Sequence, residues 1–284
     1  MIKRLIKSVI EFLKVISHAI IETIKIPRAF RHEILLIMDW FRIKFSREFY
    51  IKEFRKSQEI IASTSPKLYR LDRYEQLLWY GNIPAWIYDL QHENDKQVKN
   101  CLDIGCGYGT MLLFCKRLFN CHTLGTCLDT EGDYLNTKQL LNLFKSNEIY
   151  VKTHDIEIDR GNDLGGPFDI ILFTEVMEHL NFNPVYTLRK LGELLSPDGK
   201  LYISTPDSSS RWGKITDFYK TWEEMPEPSA DISRITADGL NHIYHYSEQE
   251  IRNIIEESGL QISRYSFAPG GINGRHHNLE IVRK

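Results

Sequence analysis

Residues 101–110 read Cys-Leu-Asp-Ile-Gly-Cys-Gly-Tyr-Gly-Thr: a short apolar run, a carboxylate, then glycine at every second position. The helical pattern Met111 to Phe119 follows directly. This is a strand that turns sharply into a helix through a turn almost stripped of side chains. Glycine there lets the backbone approach a ligand closely, which a Cβ would forbid. The ligand-free alternative is a bare strand-to-helix turn.

From this point on, short apolar runs alternate with helical patterns, the signature of a parallel sheet covered by helices. Strands are expected near Asn100 to Ile104, Thr123 to Leu128, Ile149 to Thr153, Phe168 to Phe173 and Lys200 to Ser204. Two more, Gln261 to Phe267 and His277 to Val282, flank the Gly-rich segment Pro269 to Gly274 and should pair antiparallel at one edge. Leu194 to Lys200 holds Pro and Gly where a turn needs them. There is no internal repeat, and 284 residues suit one large α/β domain with an appended segment.

The appended segment is residues 1–61. Apolar residues at Ile2, Leu5, Ile6, Val9, Leu13, Ile16, Ile20 and Ile24 mark one face of a helix that Pro27 ends. An aromatic-rich helical stretch runs on to Ile61, and residues 62–95, with a helix over Leu71 to Tyr80, lead into the main α/β domain over 96–284. Residues 1–60 carry 13 Lys/Arg against 7 Asp/Glu, so the rest of a chain of net charge −2 is acidic. A basic face beside an aliphatic one suits an anionic membrane surface. The alternative is a cap folded back on the domain. Glu11, Lys14 and Glu22 interrupt any apolar core, which excludes a span or a signal peptide and favours a cytoplasmic address. The five cysteines, Cys101, Cys106, Cys115, Cys121 and Cys127, lack framework or knuckle spacing and read as reduced core residues; no metal site is expected.

A dinucleotide fingerprint would show G-x-G-x-x-G, whereas this loop is G-x-G-x-G. In that form, Asp103-x-Gly105-Cys106-Gly107-x-Gly109, it resembles the first motif of the class I S-adenosylmethionine-dependent methyltransferases. The resemblance covers about Asn100 to Lys284 and implies a Rossmann-like, seven-stranded, mostly parallel sheet with helices on both faces and an antiparallel last strand. It implies S-adenosyl-L-methionine as cofactor. Asp129, 20 residues beyond Gly109, would take the ribose hydroxyls; Glu131 is the competing candidate. Asp155 would meet the adenine amino group and Ile156 the ring, with Glu157 and Asp159 close enough to displace that assignment.

Phe168 to Leu180 ends in Thr-Glu-Val-Met-Glu-His-Leu. It resembles the fourth-strand motif of the group holding the ubiquinone-pathway O-methyltransferases and many small-molecule and sugar methyltransferases. Glu175 would line the methionine end of the cofactor, with Glu178 and His179 near the acceptor. The plainer alternatives are a helix first-turn carboxylate for Glu178 and a structural imidazole for His179. An oxygen acceptor must lose its proton, which imidazole accepts near neutral pH, so His179 and His242, then His245, are the base candidates. The expected acceptor is a small molecule, sugar or lipid-linked glycan. A nucleic-acid or protein substrate and a non-catalytic cofactor-binding module are the competing readings. The acidic body and the absence of an Asn/Asp-Pro-Pro-aromatic motif disfavour nucleic acid. Asp207 to Leu240, with Trp212, Phe218, Tyr219 and Trp222, is expected to form a lid over the acceptor, ordinary loop packing of the aromatics being the alternative.

Overall fold

A computed structural model describes residues 52–64, 81–91, 97–128, 138–159, 161–209, 218–229, 242–268 and 276–284. The first amphipathic helix, the helix over Leu71 to Tyr80, Asp129, Glu131, the segment Pro269 to Gly274 and most of Asp207 to Leu240 lie outside the described residues.

Seven strands form one sheet: β1 Asn100–Ile104, β2 His122–Cys127, β3 Ile149–Thr153, β4 Phe168–Thr174, β5 Leu195–Pro206, β6 Leu260–Ala268 and β7 His276–Arg283. Their order is β3-β2-β1-β4-β5-β7-β6. The pairs from β3 through β5 are all parallel, and β7 runs antiparallel to both β5 and β6. The expected mostly parallel sheet with an antiparallel last strand is therefore what forms.

Both faces of the sheet are covered, so its strands read as nearly unbroken apolar runs and successive residues feed opposite layers. Leu102, Ile171, Phe173, Leu201 and Ile203 point into one core, beneath helices Pro184–Leu194 and Glu248–Glu257. Cys101, Ile170, Leu172 and Tyr202 point into the other, beneath Asn82–Leu90, Thr110–Phe119 and Lys138–Ser146. Helical residues 52–64 join this second layer: Phe54 meets Phe114 edge-on at 5.5 Å between centroids, and Arg117 holds Glu53 at 3.1 Å. The cysteines are free thiols, four of them buried, and burial pushes Cys121 up to about 12.

The turn expected over Leu194–Lys200 falls, from Leu195 on, inside β5. Phe168 pairs with Leu195 and Ile170 with Lys200, so the four residues between are extruded without ending the pairing. Gly199 is required there because a Cβ would sit 2.7 Å from the Phe168 carbonyl oxygen.

Helix starts carry their own signals. Asn183 caps Pro184–Leu194 by accepting from the Val185 amide at 3.0 Å, with Pro184 at the first position, where its missing N–H costs nothing. Ser247 and Glu250 form a reciprocal capping box on Glu248–Glu257. Ser247→Ala should lower the unfolding free energy by about 1 kcal/mol. Urea denaturation should show this as a lower midpoint with an unchanged slope.

Candidate active site

The strand order reverses between β1 and β4, and in open α/β sheets ligands bind outside the carboxyl ends of the strands at such a point. The glycine loop lies there. Gly105, Gly107 and Gly109 have φ of 69°, 50° and 71°, and the loop is tied down by the Cys106 amide donating to the Thr126 carbonyl at 2.9 Å. A Cβ on Gly105 would come within 2.7 Å of Val176, just beyond the end of β4. A Cβ on Gly107 would meet no protein atom within 4 Å. The loop is thus closed toward β4 and open above Gly107, a cradle that a side chain would fill. Asp103 is buried at the end of β1.

At the end of β3 the chain makes a tight turn. Asp155 accepts from the Glu157 amide at 3.0 Å, and the Asp155 amide donates to Asp159 at 2.7 Å. Lys190 reaches from Pro184–Leu194 to the carbonyls of Ile156 and Asp159, each at 2.6 Å. Ile156 is buried beneath the turn. Glu157 faces inward, accepting from the Phe182 amide at 2.8 Å and from Asn181 at 3.3 Å. Both rival acids therefore serve the turn and the segment beside it.

At the end of β4, Glu175 has φ 54° and its carboxylate faces Nδ1 of His276 at 2.9 and 3.1 Å. Met177–His179 form a single 3-10 turn, and the next α-helix starts only at Pro184 under its own Asn183 cap. Glu178 is therefore not in the first turn of the next α-helix. It is 1% exposed, accepts from the Thr205 hydroxyl at 3.0 Å, and its carboxyl is held well above the ordinary range, first by burial and then by the charge of Glu175.

The Glu178 carbonyl accepts from the amides of Ile243 and Tyr244 at 2.6 and 3.2 Å. These bonds lay the distant 242–245 segment on the turn and bring His242 against His179, ring centroids 4.9 Å apart. His242 Nδ1 lies 2.6 Å from His245 Nε2. Burial first, then the neighbouring imidazoles His179, His245 and His276, lower the His242 pKa to about 3, so this ring stays neutral at ordinary pH. Glu178, His179 and His242 each offer one ligand atom, all within 4.8 Å of one another. Such a set can take a proton, hold a hydroxyl group or bind a divalent cation. All three were expected near the acceptor, but spacing along the chain did not reveal that they form one donor set. His276 was missed; its sequence signal is the His276-His277 pair directly after the Gly-rich segment.

Of the expected lid, Trp222 and Met225 are buried in the core while Phe218 is exposed, and the Pro226 carbonyl accepts from the Asn183 amide at 2.9 Å.

A family model described as "Methyltransferase domain" matches residues 81–264. The ubiquinone biosynthesis O-methyltransferase of Xanthomonas oryzae pv. oryzae is 30% identical over 104 residues, 37% of this chain and 41% of that protein. Its namesake in Xanthomonas campestris pv. campestris is 29% identical over the same length and the same shares. The chain thus spans less than half the length of these curated relatives. A solved S-adenosylmethionine-dependent methyltransferase from Clostridium acetobutylicum shares the fold at a TM-score of 0.50 and 14% identity, over 75% of this chain and 95% of that one. With the glycine loop at the switch point and a family match over more than half its length, the chain belongs to the methyltransferase-domain family, in its class I, Rossmann-like form.

Proposed function

We propose that this protein transfers the methyl group of S-adenosylmethionine to an oxygen atom of a small molecule, with sugars and lipid-linked glycans inside that class. The observation that carries the reading is the packing of Val176 on Gly105, which seats the turn bearing Glu178 and His179 directly against the glycine loop. The residues fit the cofactor. Asp103, Gly105, Cys106, Gly107, Gly109 and Glu175 would hold its amino-acid end, and Asp155 and Ile156 its adenine. Asp129, outside the described residues, would hold the ribose. When bound, the cofactor supplies an electrophilic methyl group on a sulfonium.

The chain's own part is to align the acceptor, exclude water and receive its proton. His179, half-buried beside Glu178, is the proton acceptor in this reading. His242, with its pKa near 3, holds a proton too weakly for that task and keeps the acceptor in place as a neutral ring. The nearly complete burial of Glu178 favours its neutral form, which donates a hydrogen bond.

Gly107→Ala should leave the protein folded at a strain cost of about 1 kcal/mol for a left-handed alanine. It should lose binding of S-adenosylhomocysteine in calorimetry. Unchanged affinity would remove the ligand from this loop.

The ligand atoms of Glu178, His179 and His242 favour a second reading, in which a divalent cation bound there acidifies the acceptor hydroxyl directly. Both readings expect His179→Gln to cost roughly 100-fold in turnover with cofactor affinity retained. They separate on dialysis against a chelator. Unchanged turnover supports the imidazole base, whereas loss restored by Mg2+ or Mn2+ supports the cation. A His179→Gln protein turning over at the parental rate excludes both.

The basic, aliphatic-faced segment 1–60 supports a peripheral role at an anionic membrane surface. No helix among the described residues is long and apolar enough to cross a membrane. Full-length protein should sediment with phosphatidylserine-containing vesicles at low salt, and protein lacking residues 1–60 should not. A full-length chain that stays in the supernatant supports the cap instead.

A further inference from the structure

We infer that His276 is a positioning residue for the cofactor: it holds the Glu175 carboxylate toward the α-ammonium end of S-adenosylmethionine. The inference rests on the reading that the cofactor lies on the glycine loop.

Three described non-glycine residues have left-handed backbone, Asn120, Glu148 and Glu175. Asn120 ends the helix Thr110–Phe119, and Glu148 lies just after Lys138–Ser146; helix ends commonly take this conformation. Glu175 has no helix to end. It stands directly after β4, one residue before the Val176 that touches the glycine loop. Backbone held in a costly region persists where surrounding contacts over-determine it, and such residues cluster at functional sites. Here the contacts are the Glu175 amide donating to the Ser204 carbonyl at 2.9 Å and the imidazole of His276 on the side chain.

His276 is well placed to fix a carboxylate. It is 8% exposed and sits in register between Pro206 of β5 and Ala268 of β6, so ladders on both sides hold its backbone. Nδ1 faces both carboxylate oxygens, at 2.9 Å to Oε2 and 3.1 Å to Oε1. One N–H shared between two oxygens leaves lone pairs on each for a further cation. The Glu175 side chain keeps 20% of its surface exposed. A carboxylate with spare acceptor capacity, one residue before the valine that packs on the glycine loop, suits the ammonium of an amino-acid tail. It offers nothing to adenine.

That difference supplies the test. 5′-Methylthioadenosine keeps the adenosine and thioether of the cofactor but lacks the amino acid. Affinities of full-length protein for S-adenosylhomocysteine and for 5′-methylthioadenosine are measured by calorimetry for the wild type, His276→Ala, His276→Asn, Glu175→Gln and the Glu175→Gln/His276→Ala double variant. Thermal melts confirm folding. His276→Ala should weaken S-adenosylhomocysteine by ~10-fold, the scale of one lost charge-assisted hydrogen bond, and leave 5′-methylthioadenosine unchanged. His276→Asn, whose amide N–H stands in for Nδ1, should recover most of the loss, and the double variant should bind no worse than Glu175→Gln alone. If His276→Ala does not fold, His276→Asn and Glu175→Gln carry the same ligand comparison. Equal weakening of both ligands, or an unchanged affinity for S-adenosylhomocysteine, overturns the inference while the cofactor reading stands. A wild-type protein that binds neither ligand overturns both.

Discussion

Parallel pairing of β1 with β4 places the carboxyl ends of two neighbouring central strands side by side. The helices that follow β1 and β4 leave toward opposite faces, so nothing in the sheet fills the space between them. The glycine loop forms one wall of this crevice and the Glu175–His179 turn the other, and they touch where Val176 meets Gly105.

Acidic and imidazole groups crowd the second wall, and their mutual effects are opposite in sign. Burial and the Glu175 charge hold a proton on Glu178, while burial and neighbouring imidazoles drive one off His242. The network is also anchored in the fold. Thr205 of β5 holds Glu178, and β7 supplies His276 to Glu175. β7, antiparallel to its neighbours β5 and β6, thus serves the site as well as the sheet.

Much of the fold was legible because short apolar runs, capping residues and turn chemistry are local. Asn100–Ile104 and Ile149–Thr153 match their expected bounds, β2 is shifted by one residue at each end, and β4 is one residue longer. β5 was read too short because Ser-Pro-Asp-Gly is turn chemistry, and only its pairing partner reveals that the turn is a bulge inside a continuous ladder. Trp222 was read as part of a lid because an aromatic side chain looks alike over a ligand or in a core, and its surroundings decide.

The candidate site divides along the same line. Sequence alone determined the glycine loop, the carboxylate before it and the Glu-Val-Met-Glu-His run, since each is a contiguous stretch whose chemistry is set by residues a few positions apart. Tertiary structure decided which partners reach them. It joined His242 to His179 through the Glu178 carbonyl, turned Glu157 inward to Phe182, and delivered His276 to Glu175 across the antiparallel strand. Those contacts depend on strand order and register, long-range properties that no local spacing of residues encodes.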